Sequence, residues 1–339
     1  MLERRRYSVP RKAKRIKLSL LENAFDYILN AVQQLQGKRP SKRRIKYGIV
    51  HLWSGIELLI KKRLMDEHWS LIFRDINKAD RKALNSGDFV SVYFDEAVTR
   101  LKNICGIDIS DHNDILKKIR EDRNRLEHFG ITLSKEAAVS NIVKAWNFVL
   151  DFTSAHIDLS NEAASEKLFE KIRRKIIAHE EFVKERLKVI DPEIQKIRSE
   201  EYPYTIIDCP ECLQETLLLK GGDCECLFCK MRLHWKDAME EWLILHEGYY
   251  RVFNYEDRSI EPLVLECPEC GYEGLYRFAD GDAQPPDPAA ICFHCGSSFL
   301  YCEWCSLAEV CPNDQHGICK ECSIYLIPVS YTHLTLPTN

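Results

Sequence analysis

Apolar residues recur at helical spacing through the first part of this chain. Leu21, Phe25, Ile28, Val32 and Leu35 fall on one helical face, and Gly37 to Pro40 interrupts it. Ile45, Ile49, Leu52, Ile56 and Leu59 continue a second helix, with Glu57 close to its apolar side. From Trp69 to Val92 the periodicity fades and Asn85-Ser86-Gly87 marks a turn, which predicts an irregular insertion between helices, placed to cover a site. Shorter helices are expected at about Asp95 to Ile104 and Asp111 to Phe129. Ser134 then caps another that runs through Val143, Trp146, Val149 and Phe152. Residues 161–200 are densely charged but keep Leu168, Ile172, Ile176, Phe182 and Leu187 near a helical repeat. Pro192 is expected to interrupt this stretch, which reads as a helical connector.

Beyond residue 200 the pattern changes to short apolar segments, Thr216 to Leu219 and Ser297 to Tyr301, set among paired cysteines. Six Cys-x-x-Cys units occur: Cys209/Cys212, Cys226/Cys229, Cys267/Cys270, Cys292/Cys295, Cys302/Cys305 and Cys319/Cys322. Two thiolates three apart on a tight turn both reach one zinc at about 2.3 Å, and two such turns complete a tetrahedron. Taken in order, the pairs predict three structural zinc ribbons, with Cys-Pro-Glu-Cys repeated at 209 and 267. Four thiolates leave no open position for water, so the expected Zn2+ ions are structural. A ribbon is too small to fold on an apolar core, and metal binding supplies on the order of 10 kcal/mol per site. Cys224, Cys311 and His316 lie close enough to replace a ligand in the first or third site. Disulfides compete as an explanation, but nothing in the chain signals secretion. A redox role would need an exposed thiol at a helix start. Cys105 reads as a small core residue.

Charge separates the two parts. Residues 1–200 hold 40 Lys/Arg against 29 Asp/Glu (+11), and residues 201–339 hold 8 against 23 (−15). A basic first part suits an RNA-binding surface; the acidic second part suits a protein partner better than a phosphate backbone. Residues 1–17 form a basic arm without an apolar face, able to add phosphate contacts. No apolar run approaches a membrane span, so no membrane association and a cytoplasmic location are expected. Residues 328–339 show no continuity with the cysteine-rich region and resemble translated adapter sequence; the natural C-terminus is expected to be missing.

Candidate chemistry concentrates in Arg123-Asn124-Arg125-Leu126-Glu127-His128, followed by Phe129-Gly130. Arg holds its charge at any working pH and His titrates near neutrality, so the pair can grip a phosphate and move protons beside it. Metal-free RNA cleavage by attack of the 2′-OH needs little more. Ile115, Ile119, Leu126 and Phe129 supply an apolar seam, Asp111 is the expected N-cap, and Gly130 suits the position past the helix end. His128 then lies in the last turn, where the helix dipole favours a cation. Arg174 to His179 repeats the spacing without Asn or Gly and reads as a decoy; Arg44 and His51 are a looser pair.

Arg123-Asn124-x-x-x-His128 resembles the motif of the HEPN superfamily: Arg, a polar residue, a short spacer and His in a helical bundle. Trp53 to Leu64 is similar to that family's second helix with its buried acidic residue, here Glu57. The resemblance covers roughly residues 18–158. It implies an all-helical homodimer whose two motifs form one composite ribonuclease site, often in a toxin or defence effector. Arg123 and His128 would be catalytic, Asn124 orienting and Glu57 supporting. Some relatives carry a Tyr two residues after the His that a partner modifies; Gly130 stands there, which argues against that regulation.

The expected architecture is therefore multidomain: an all-α HEPN-like helical bundle followed by small β-rich zinc ribbons. Its parts are an arm (1–17), bundle (18–158), charged connector (159–200), ribbon with helical extension (201–260), second ribbon (261–300), third knuckle (301–327) and non-native tail (328–339). The leading expectation is a metal-independent endoribonuclease acting on RNA. The alternative is a non-catalytic adaptor in which the bundle dimerises and the acidic ribbons bind a protein.

Overall fold

Helix α1 (Leu20–Leu35) starts where its capping chemistry dictates. The Ser19 hydroxyl accepts from the Glu22 amide at 3.0 Å, and the Glu22 carboxylate accepts from the Ser19 amide at 2.7 Å. The computed structural model describes residues 16–37, 39–199, 205–248, 264–278 and 290–299. Most of the basic arm, the third cysteine quartet (Cys302, Cys305, Cys319, Cys322), Cys311, His316 and the terminal tail lie outside these residues. The chain divides into two units, residues 1–183 and 184–339.

In the first unit, α1 packs along α2 (Lys42–Glu67). Gly55 permits the approach: a Cβ there would lie 2.4 Å from Ile28 Cγ1 and 2.9 Å from the Ala24 carbonyl oxygen. Arg44 donates to the Gln33 and Gln36 carbonyls at 2.8 and 2.7 Å, satisfying the open end of α1. The Trp69 to Val92 insertion is irregular as expected, with 3-10 turns at Trp69–Ile72 and Ile76–Lys78 and a short α3 (Arg81–Ser86) ending at Gly87, φ 75°. It is nevertheless anchored. Leu71, Ile72, Phe73 and Val92 are buried, and the buried Arg100 of α4 (Phe94–Cys105) donates to the carbonyls of Leu71, Phe73 and Arg74.

Helices α5 (Asn113–His128) and α6 (Lys135–His156) follow. Ser134 caps α6, accepting from the Ala137 amide at 3.1 Å. The start of α5 differs from expectation. Ser110–His112 forms a 3-10 turn, Asp111 lies inside it, and the residue at the N-cap is His112 with no side-chain cap. Gly130 is not in the left-handed region; the helix closes through the Phe129 amide bonding to the Arg125 carbonyl.

Residues 159–200 are not a single connector. Helix α7 (Ala163–Ile177) packs on α1, with Phe169 stacked on Phe25 at 5.6 Å, and belongs to the first unit. The break falls at Ala178 and His179, and α8 (Glu180–Ser199) runs through Pro192 without stopping. The division between units, after Val183, lies within α8.

The second unit holds two four-stranded antiparallel sheets in simple sequential order. The first has β1 (Ile206–Asp208), β2 (Glu215–Lys220), β3 (Asp223–Cys226) and β4 (Arg232–His234), followed by α9 (Trp235–Glu247). The second has β5 (Val264–Glu266), β6 (Glu273–Arg277), β7 (Ala290–Cys292) and β8 (Ser298–Phe299). Both begin alike: Asp208 pairs with Glu215 and Glu266 with Glu273, each after a register shift. Segments outside the strands tie the two sheets together: the Gly222 amide donates to the His294 carbonyl at 2.9 Å and the Thr205 amide to the Gly296 carbonyl at 3.2 Å.

Candidate functional site

Each Cys-x-x-Cys is built by the same backbone device, which repeats four times. The amide after the second cysteine donates to the carbonyl of the first: Leu213 to Cys209, Lys230 to Cys226, Gly271 to Cys267 and Gly296 to Cys292, at 2.8–2.9 Å. The amide of each first cysteine reaches the carbonyl five residues on, again at 2.8–2.9 Å. The turn forces the residue after the second cysteine to positive φ: 58° at Leu213, 60° at Lys230, 71° at Gly271 and 79° at Gly296. Glycine takes that conformation freely, whereas Leu213 and Lys230 each carry a cost of about 1–2 kcal/mol.

These turns bring Cys209, Cys212, Cys226 and Cys229 together, and Cys267, Cys270, Cys292 and Cys295, with all Sγ atoms of a group within 4.8 Å of one another. Among these pairs, Cys209–Cys229 and Cys212–Cys226 lie 3.7 Å apart, and Cys267–Cys295 and Cys270–Cys292 3.8 Å apart. Sulfurs on a tetrahedron of metal–sulfur length about 2.3 Å stand about 3.8 Å apart, so both donor sets fit a four-thiolate metal ion. No cysteine among the described residues is in a disulfide.

Sulfurs this crowded cannot all ionise without a cation. In the first group, burial opposes ionisation of Cys226, but hydrogen bonds from the other three thiols drive its pKa far down; bonds from Cys209 drive Cys212 and Cys229 up. In the second, the Cys292 side chain lowers Cys295 to about 4, and burial raises Cys267 to about 11. Cys224 does not join the first group. It is fully buried in β3 opposite Leu219 and Leu233, and burial pushes its thiol up to about 12.

Helix α5 presents the other candidate group. Leu116, Ile119 and Asp122 face the core, and the Asp122 carboxylate pairs with Lys118 at 3.1 Å. Arg123 sits half-buried at the edge of that face. Its Nε lies 2.9 Å from Glu127, and its Nη1 donates to the Asn124 side chain at 3.0 Å. Asn124, Glu127 and His128 are exposed, and His128 has no polar partner among the described residues. Five residues of helix turn through about 500°, so Arg123 and His128 project roughly 140° apart, whereas Asn124 and His128 share a face.

Comparison with protein families, characterised proteins and solved structures finds no match.

The remaining candidates separate cleanly. Glu57 is half-buried and pairs with Lys61 of its own helix at 3.4 Å, rather than with Arg123. His179 is held between helices, edge-on to Trp146 with ring centroids 5.2 Å apart, and burial lowers its pKa. Arg174 is exposed on α7, so the decoy pair forms no site. His51 packs against Tyr27 and Tyr47 and bonds to Asn30 at 2.7 Å. Cys105 is half-buried rather than in the core.

Sequence reading missed Arg186. This guanidinium, 1% exposed, comes from α8 and donates to the Leu227 carbonyl at 2.9 Å and the Phe228 carbonyl at 3.2 Å. Those are the two residues between Cys226 and Cys229. It thus fixes one turn of the first four-cysteine group, and a charge-rich helix gave no local signal for it.

Proposed function

We propose that this protein is a metal-independent endoribonuclease of HEPN type, a toxin or defence effector, carrying structural zinc in its second unit. What supports the reading is the end of α5, where Arg123, Asn124 and His128 bring a cation, an amide and an acid/base group to one exposed helix end. The separation of Arg123 and His128 around the helix favours a composite site, in which one chain's His128 and the other's Arg123 meet at one phosphate of a homodimer. There the ribose 2′-oxygen attacks phosphorus and the bond to the 5′-oxygen breaks. One His128 takes the 2′-OH proton, the other protonates the leaving oxygen, and Arg123 stabilises the phosphoryl oxygens. The products are a 2′,3′-cyclic phosphate and a 5′-hydroxyl. Zinc is the metal proposed for the cysteine groups, because four thiolates in a tetrahedron suit it and leave no open position. Cysteines kept reduced for metal binding also suit a reducing compartment such as the cytoplasm.

The test is a ribonuclease assay on the full chain. His128→Ala and Arg123→Ala should each lower the rate by roughly two to four orders of magnitude. A 2′-deoxyribose at the cut site should block cleavage. Activity retained in His128→Ala and lost in His179→Ala would overturn the assignment; no cleavage of any RNA by wild type would favour the adaptor.

A further inference from the structure

Beside the end of α5 lies an open groove of about 720 Å³, lined from α2, from the segment that joins α5 to α6, and from the start of α6. Its charged residues are all cationic: Lys42, Arg43, Lys46 and Lys135 line it beside Thr132 and Ser134, and no acidic residue does. None of these four has an acidic partner among the described residues. Two aromatic rings stand in the same groove. Phe129 is 87% exposed and Tyr47 is 38% exposed. An exposed Phe has no packing reason to be there, and the first turn of α2 holds no acid to complement its dipole, so the local charge runs against helix preference.

We infer that this groove binds single-stranded RNA, the cations along its phosphates and the Tyr47 and Phe129 rings under unpaired bases. Rings in one groove with cations that have no acidic partner, Arg43 and Lys46 lying 5.8 Å from the Tyr47 ring centre, are what sequence-tolerant binding of a single strand requires. A second copy of this chain is the poorer occupant, because a two-fold contact there would set four cations against four. Leu126 and Phe129 of its lining flank His128 in sequence, so a strand held in the groove lies beside the proposed cleavage motif. Its identification as RNA rests on the ribonuclease reading; the charge and the rings do not.

Binding is measured on the full chain by fluorescence anisotropy with a labelled 2′-O-methyl oligouridine, which cannot be cleaved. Four phosphate contacts give a log–log salt slope of about −3 for a single strand. Lys46→Glu with Lys135→Glu should weaken binding at least tenfold at low salt and flatten that slope. Phe129→Ala and Tyr47→Ala should each cost roughly five- to a hundredfold, with little change in slope. Lys171→Glu, an exposed charge reversal on α7, should leave binding unchanged. A paired duplex of equal length should bind more weakly than the single strand. Circular dichroism melting confirms that each variant is folded.

Unchanged binding in the groove variants would overturn the inference, as would tighter binding of the duplex. So would a shift in oligomeric state without loss of RNA binding, which would mark the groove as a contact between copies. Groove-dependent binding with no cleavage of any RNA would sustain the groove and sink the ribonuclease reading. Cleavage by wild type with groove-independent binding would do the reverse.

Discussion

Replacing Arg186 by Leu should loosen the first metal site and leave the second intact. The guanidinium donates two charge-assisted hydrogen bonds into the turn between Cys226 and Cys229, one at 2.9 Å and a longer one at 3.2 Å. Bonds to a charged group contribute about 1.5–3 kcal/mol each, so the pair supplies about 3–6 kcal/mol. Leucine also removes a buried charge, whose desolvation cost of several kcal/mol is then recovered. A net loss of about 1–3 kcal/mol remains, partly because the two carbonyls are left without a donor. That corresponds to roughly 10–100-fold in metal affinity, the span expected when a group that orients ligands is lost. Arg186→Lys keeps the charge without the fork and should fall between. The assay is cadmium-113 NMR during chelator titration, because each four-sulfur site gives its own resonance. The resonance of the first site should vanish at lower chelator concentration than in wild type, with that of the second unmoved. Equal weakening of both sites, or of neither, would refute the argument that Arg186 acts through the 226–229 turn.

Elemental analysis of the purified full chain should find at least two zinc ions per chain, and metal removal should destroy both sheets while the helical circular dichroism largely survives; less than one zinc would sink the metal reading. Gly55→Ala should destabilise the helical unit by about 1–3 kcal/mol even after gaining about 1 kcal/mol in helix propensity, because its Cβ meets the backbone oxygen of Ala24. Gly48→Ala meets only the tip of Leu35 at 2.8 Å and should be near neutral, so urea denaturation showing the opposite order would contradict this packing. Burial lowers the pKa of His51, His156 and His179 in the folded chain. The unfolded chain therefore binds these protons first, and stability should decline as pH falls from about 6.5 toward the lower folded values. His179→Phe should flatten that decline in urea midpoints, and a midpoint that rises between pH 7.5 and 5.5 would be incompatible with it. Glu127→Gln, which frees Arg123 from its ion pair, should raise kcat/KM on RNA about twofold; a fall would show that Glu127 assists the site.

Several features were legible because the signal and its consequence lie within a few residues. Ser19 with Glu22 and Ser134 start helices through bonds to amides three positions on. The apolar periods locate α1, α2 and α6, and the Cys-x-x-Cys spacing anticipates both four-cysteine groups. Within a turn so short, glycine after the second cysteine at Gly271 and Gly296 was the visible mark of positive φ. Leu213 and Lys230 adopt the same conformation without that mark.

Other features were decided by residues far apart in sequence. Asp111 has the chemistry of a cap but falls inside a 3-10 turn, and Pro192 has the chemistry of a breaker but sits inside α8. Composition made residues 159–200 look like one solvated connector. The contact of Phe169 with Phe25 instead draws α7 into the bundle. Cys224, two residues from a ligand, is kept from the metal group by strand pairing, which no spacing rule encodes. Near-neighbour chemistry was enough for the helical first part and the four-cysteine groups, since each follows from bonds between residues close in the chain. Long-range packing alone makes Arg186 clamp a cysteine turn 40 residues away and brings Lys46, Phe129 and Lys135 to one groove. Those facts depend on which helix faces pack together, and packing is a property of the whole fold.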